Sequence, residues 1–209
     1  MGWISSNNYL TEAQMQNNAA LVYSFLSDRG WTANAIAGVL GNMESESNIN
    51  PGLWQSLNEG NMSGGFGLVQ WTPATNFTDW ADDNGYSWGD GDAQLLWLDE
   101  QTVPFGQWIA TSLYPMSFAD FKISTQPAAY LASCFLKNFE RAGVEVEDER
   151  RENARKWYEY ITGEDLPEPD PDQPDPDQPD PDTPSSGGVI HFKKRKYKFY
   201  LFNRQKKRR

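Results

Sequence analysis

Thr32-Ala33-Asn34-Ala35-Ile36-Ala37-Gly38-Val39-Leu40-Gly41-Asn42-Met43-Glu44-Ser45-Glu46 reads as one helix with two kinds of face. Thr32 is a side-chain cap for its start. Ile36, Val39, Leu40 and Met43 follow the i, i+3, i+4, i+7 spacing of a core-facing stripe. Ala33, Ala35, Ala37, Gly38 and Gly41 are small enough to predict close packing against a neighbouring element. The helix ends in the densest polar stretch of the chain, Asn42 to Pro51, where Glu44 and Glu46 stand with no cation near them in sequence. A Glu at the edge of an apolar stripe is partly desolvated, which disfavours its charged form and leaves it able to give up a proton near neutral pH. Spacing does not choose between the two, because they lie ~200° apart and flank the stripe on opposite sides. From spacing alone, an ordinary acidic helix end accounts for them equally well.

Outward from this stretch the punctuation is mainly helical. Thr11-Glu12-Ala13-Gln14 is a capping box opening a helix with Met15, Ala19, Val22 and Leu26 inward, closed near Gly30. Thr72-Pro73 is expected to start a further helix with proline at its first position. Asp92–Thr102, Pro127–Glu140 and Asp148–Thr162 read as three more. Ser63-Gly64-Gly65-Phe66-Gly67-Leu68-Val69-Gln70-Trp71 is too rich in glycine for a helix and predicts a small β-hairpin or turn. Asp90-Gly91-Asp92 reads as a polar turn, since it lacks the spaced ligands of a calcium loop.

Charge divides the chain into three. Residues 1–163 hold 8 basic and 20 acidic side chains, residues 164–184 hold 9 acidic and no basic ones, and residues 185–209 hold 10 basic and no acidic ones. The net charge of −11 therefore describes none of them. All nine Trp lie between Trp3 and Trp157, so residues 1–163 form the domain with the core. Residues 164–188 are an acidic Pro/Asp-rich linker. Its repeated PDPDQ favours a disordered but stiff polyproline II spacer, on the order of 50 Å long at ~3.1 Å per residue. Residues 189–209 are a basic aromatic tail.

Several classes are excluded. No run approaches the ~18–20 apolar residues of a membrane helix, and Met1 to Asn8 carries no secretory pattern. Cys134 and His191 are each alone, so no internal disulfide, no multi-histidine metal site and no Ser-His-Asp arrangement in the domain is expected. No cofactor and no metal is expected.

Glu46-Ser47-Asn48-Ile49-Asn50-Pro51, followed about twenty residues later by Gly67-Leu68-Val69-Gln70, resembles the paired motifs of goose-type lysozymes and lytic transglycosylases. The longer match runs through Tyr9-Leu10-Thr11, Gly30-Trp31-Thr32, Ala37 to Met43, Ile49 to Trp54 and Gly65 to Pro73. It resembles the tail lysozyme domains that small tailed phages of Gram-positive hosts carry at the tail tip. The resemblance spans roughly residues 7–162, weakening towards Phe139-Glu140-Arg141-Ala142-Gly143. It implies a mainly α, lysozyme-like α+β fold in which a Gly-rich hairpin lines a glycan cleft. Glu46 would be the general acid that protonates the glycosidic oxygen between N-acetylmuramic acid and N-acetylglucosamine. Gln70 would hydrogen-bond sugar or water, while Gly64, Gly65 and Gly67 would let the hairpin backbone approach the glycan. Trp54, Trp71 and Tyr130 would be platforms for sugar faces, against the plainer role of core residues. Glu44 would be a surface or supporting carboxylate.

A hydrolase needs a second carboxylate, for which Glu140, Asp79, Asp82 and Asp83 are candidates. Glu140 with Arg141 reads equally well as a structural ion pair. A single acid suffices if the muramic 6-hydroxyl attacks intramolecularly and leaves an anhydro product. The resemblance to a family called lysozyme favours hydrolysis. A structural, wall-binding tail protein without activity is the rival class. The implied partners are peptidoglycan strands and phage tail proteins, and the implied location is the virion tail, after synthesis in the host without a signal peptide. Some such lysozymes continue into a zinc endopeptidase domain, which one His and the 25 residues from Ser185 on do not provide. The tail interleaves its cations with Tyr197, Phe199, Tyr200 and Phe202, a pattern suited to phosphate polymers. An anionic wall polymer, an acidic virion protein or plain solvation all fit it, with nucleic acid the least favoured.

Overall fold

In a computed structural model of the chain, the described residues are 2–101, 106–141 and 146–163. The acidic linker and the basic tail lie outside them. Within them the chain forms α1 (Glu12–Ser27), α2 (Ala33–Ser47), α3 (Thr75–Asp83), α4 (Gly91–Gln101), α5 (Phe118–Lys122), α6 (Ala128–Phe135) and α7 (Glu147–Thr162). A single 3-10 turn spans Gln55–Leu57, and a π-helical turn, Leu136–Glu140, extends α6.

The caps act as their residue types require. Gln14 Oε1 accepts from the Thr11 N–H at 2.9 Å, and Thr32 Oγ1 accepts from the Ala35 N–H at 3.1 Å. The carboxylate of Asp90 accepts from the N–H groups of Asp92 and Ala93, so the expected polar turn is the start of α4. α3 begins later than expected, at Thr75. Residues 72–74 close a turn instead: Thr72 donates to the Gln70 carbonyl, Ala74 N–H donates to the Met62 carbonyl, and Pro73 follows a cis peptide. The short α5 was not expected from the sequence. Ser117 caps it by accepting from Asp120 N–H, a signal that five residues of helix made easy to overlook.

α2 is the centre of the domain. Every residue from Ala35 to Met43 is buried, so the apolar stripe understates its surroundings. The additional faces are the small ones, and they are covered by α6 on one side and α7 on another, with α1 also packed against it. A Cβ on Gly38 would lie 2.9 Å from the Leu131 backbone in α6. A Cβ on Gly41 would overlap the Arg150 carbonyl and lie 2.7 Å from Ala154 N in α7. Asn42, fully buried, completes the junction: its Nδ2 donates to Gly38 O at 2.9 Å and to Ala132 O at 3.0 Å.

The glycine-rich stretch forms a minimal β element. Phe66 and Trp71 exchange backbone hydrogen bonds of 3.2 and 3.0 Å, and Phe66 also bridges to Trp54. Two packed aromatic groups hold many of the large rings. Trp31, Trp108, Phe118, Phe121, Phe135 and Phe139 form one, and Trp71, Phe77, Trp80, Tyr86 and Trp97 form the other.

The Gly41→Ala substitution should lower stability by about 2 kcal/mol or more, the scale of overpacking a close helix contact, despite alanine's better helix propensity. Urea denaturation checks this, and an unchanged or raised midpoint would show that α7 does not need the gap.

Candidate active site

Glu46 sits on the last turn of α2, where the helix is brought to a stop by Asn48 and Ile49, both in the left-handed region at φ 53°. The residues around it hold the neighbouring segments in place. Ser47 Oγ donates to the Met43 carbonyl at 3.1 Å and to the Leu68 carbonyl at 2.8 Å, tying the glycine-rich turn to the helix end. Asn50, fully buried, donates to the carbonyls of Ser6 and Asn8 at 2.7 Å each and accepts from Gly52 N–H. It straps the N-terminal segment across the same corner.

The two glutamates of α2 are separated by their partners. Glu44, whose side chain is 15% exposed, accepts from Lys156 Nζ and Trp157 Nε1 at 2.7 Å each. Both partners belong to α7, so Glu44 holds helices together. Glu46 lines an open cleft of about 700 Å³. Its Oε1 accepts from Arg150 Nη2 at 2.5 Å, with the Glu46 side chain 20% and the Arg150 side chain 8% exposed. Arg150 Nη1 reaches the Asn42 side-chain and backbone oxygens at 3.2 and 3.4 Å. The cations missing around these glutamates in sequence are therefore supplied by α7.

Across the cleft, Glu140 ends the π-helical turn. Arg141 N–H bonds to the Leu136 carbonyl at 2.8 Å, five residues back, and the wider turn changes the direction in which residues 136–140 project. The turn is fastened by Asn138, which accepts from Thr111 and donates to the Tyr114 carbonyl, while Gln107 Nε2 donates to Phe139 O. Glu140 as a residue is partly exposed, but its Oε1 is enclosed and has no hydrogen-bond partner among the described residues. Its pKa is raised well above the ordinary carboxyl value, first by burial and then by the charge of Glu46, with Arg150 and Arg141 opposing. Arg141 itself is not bound to Glu140: its Nη1 donates to the Gln107 and Asn138 carbonyls. Of the four candidate second carboxylates, only Glu140 lines the cleft; Asp82 instead accepts from Trp88 Nε1 at 2.7 Å.

The other expected contacts are distributed differently. Gln70 lines the cleft, but both hydrogens of its amide go to the carbonyls of Leu53 and Gly67, at 3.0 Å each, and hold the turn. Gly64, Gly65 and Gly67 do not line the cleft. The space a Cβ would take at Gly67 (φ +81°) is filled by the amide of Gln94, at Gly65 by Gln70, and at Gly64 by Asn61. These glycines thus make room for the protein's own side chains, a correction to their expected opening towards a glycan. Gln94 is fully buried and fully engaged, accepting from Leu68 N–H and donating to the Pro51 and Trp88 carbonyls. Trp54 and Trp71 line the cleft but are buried against Phe66 and Phe77. Tyr130 lies away from it, edge-on to Tyr114. The aromatic side chain that lines the cleft and is exposed is Tyr9. Among the described residues no cluster of three His, Cys, Asp or Glu is placed to hold a metal.

Arg150 and Asn42 escaped the sequence reading. Arg150-Arg151 interrupts an acidic run from Glu147 to Glu152, which is the one trace of their burial that the sequence carries. At Glu140 the folded chain prefers the neutral carboxyl. The corresponding stability is full below the ordinary carboxylate pKa and is lost as pH rises through the raised one. Glu140→Gln, which cannot ionise, should escape that loss, up to about 1.4 kcal/mol for each pH unit between the ordinary and the raised titration. Urea midpoints measured across pH should diverge between the two chains, and parallel curves would refute it.

The phage tail lysozyme family matches residues 17–161. Morphogenesis protein 1 of Bacillus phage B103 is 46% identical over 159 residues, covering 76% of this chain and 43% of that protein. The chain thus matches less than half the length of that relative. The helix-borne Glu46, the serine lock on the glycine-rich turn and the facing Glu140 all fall within the matched region, and the chain belongs to the phage tail lysozyme family.

Proposed function

We propose that the domain cleaves the β-1,4 bond between N-acetylmuramic acid and N-acetylglucosamine of peptidoglycan, acting at a phage tail tip to open the host wall locally as DNA passes. The observation that carries this reading is the convergence of Glu46 and Glu140 on one open cleft, around the buried guanidinium of Arg150. Family membership and the relative from a Bacillus phage support the setting, a virion component made in the host cytoplasm and working at the cell wall. The basic tail is assigned to adhesion, to an anionic wall polymer or an acidic tail protein.

The chemistry follows from the pair. Burial and the charge of Glu46 keep a proton at Glu140. Glu46, the partner with the more open side chain, takes up that proton and delivers it to the glycosidic oxygen as the bond breaks, which leaves both carboxyls ionised. Arg150 fixes the rotamer of Glu46 from within the core. In hydrolysis, water then completes the reaction with the help of the pair's carboxylate. The enclosure of Glu140 favours a second outcome. A carboxyl that is buried and held neutral is poorly placed to attack a sugar or activate water, and attack by the muramic 6-hydroxyl would need neither, its proton passing to the carboxylate that Glu46 becomes after the first transfer.

Purified chain should clear peptidoglycan, and Glu46→Gln, with its fold checked by circular dichroism, should lose at least a hundredfold of that activity. Retained activity in the variant would sink the assignment and leave a wall-binding tail protein. Mass spectrometry of the released glycans separates reducing ends, expected of hydrolysis, from anhydro-muramic ends. Arg150→Gln removes the cation that both carboxyls face. Cleavage should fall at least tenfold, and the limb of the pH–rate profile set by Glu140 should move to higher pH; an unmoved limb would show that Arg150 only packs.

A further inference from the structure

We propose that Tyr9 is a stacking platform for the apolar face of an N-acetylhexosamine ring at the rim of the cleft. The proposal rests on the glycan reading above and adds a binding residue to it. Four aromatic side chains line the cleft: Tyr9, Trp54, Trp71 and Phe139. Three are committed to the core. Trp54 packs on Phe66 with ring centres 4.5 Å apart, Trp71 on Phe77 at 5.1 Å, and Phe139 on Phe135 at 4.5 Å. Tyr9 is 63% exposed, and no ring of a described residue stacks on it. Single exposed aromatics are ordinary on a protein surface, so exposure alone would carry nothing.

What distinguishes Tyr9 is that the chain on both sides of it is fixed. The Asn8 carbonyl accepts from Asn50 Nδ2 at 2.7 Å, Leu10 is buried, and Thr11 N–H is held by Gln14. One residue earlier, Asn7 accepts from Trp54 N–H at 3.2 Å and donates to the Leu57 carbonyl at 3.0 Å. Asn50 lies just beyond the end of α2, so the bonds that hold Tyr9 also set its offset from Glu46. A ring carried on such a strap loses little freedom when a ligand covers it.

The neighbouring cleft lining gives the ligand class. Gln55, Ser56, Thr72 and Asn76 are exposed there and uncharged. Amides and hydroxyls beside an open aromatic face suit a neutral sugar: its C–H face meets the ring and its hydroxyl and acetamido groups meet the polar side chains.

Calorimetric titration of the full chain carrying Glu46→Gln with the soluble tetramer of N-acetylglucosamine tests this without cleavage. Adding Tyr9→Ala should weaken binding about 3- to 10-fold, the range of one aromatic stacking contact. Tyr9→Phe should stay within about twofold of the parent, and Tyr9→Trp, with the larger face, should bind at least as tightly. The thermal midpoint should be unchanged, because the side chain is mostly in solvent. Equal binding by the alanine variant, or weaker binding by the tryptophan one, would overturn the role of Tyr9 while leaving the glycan reading standing. Absence of tetramer binding by the parent would overturn both.

Discussion

The site exists because two helices, α6 and α7, approach α2 more closely than ordinary side chains permit. Gly38 and Gly41 remove the obstacles, and Asn42 fills the remaining polar requirement by bonding its own helix, α6 and α7 at once. A buried amide that satisfies three elements is a strong constraint on their register, since any slip leaves its hydrogens or its oxygen unpaired at a cost of about 1–3 kcal/mol. The side chains proposed for catalysis follow from that register. Glu46 lies one turn beyond Asn42, Glu140 follows from the end of α6, and Arg150 comes from α7. Of these, Glu140 is also held by the loop that carries Gln107 and Thr111.

The same approach explains the electrostatics. Residues 1–163 are strongly acidic, yet each glutamate of the α2 end meets a cation: Glu44 meets Lys156, and Glu46 meets Arg150. The near-opposite directions of the two glutamates give them different partners and different exposures. Glu140 is the exception, because burial leaves its carboxyl oxygen without a donor. An acidic domain that draws two of its cations, Arg150 and Arg151, inward keeps their charge interactions where solvent screens them least.

The helices were legible because their signals are local. The caps at Thr11 and Thr32 and the Ile36/Val39/Leu40/Met43 stripe lie within single segments, and the small residues correctly indicated a close neighbour. Glu46 was reached through a resemblance, since helical geometry alone left it level with Glu44. Arg150 was not legible because its role depends on a contact between α2 and α7, far apart in sequence. The glycines of the turn were legible as tight positions but not in what fills them, as Gln94 shows at Gly67. The aromatic residues misled in the opposite sense. Tryptophan is the stronger platform in general, and here Trp54 and Trp71 are consumed by the core, while the exposed ring is a tyrosine in a segment without regular structure.

Gln94 couples the core to the cleft. Its amide occupies the hollow left by Gly67 and fixes three backbone groups, on the turn, on the segment after α2 and on the loop before α4. Glycine and glutamine at these positions are therefore a matched pair, and a side chain added at one must be answered by a smaller one at the other. Sequence change in α4, a helix that does not line the cleft, can in this way reshape the turn that does. Diversification towards different wall glycans then has a route through the core as well as through the surface.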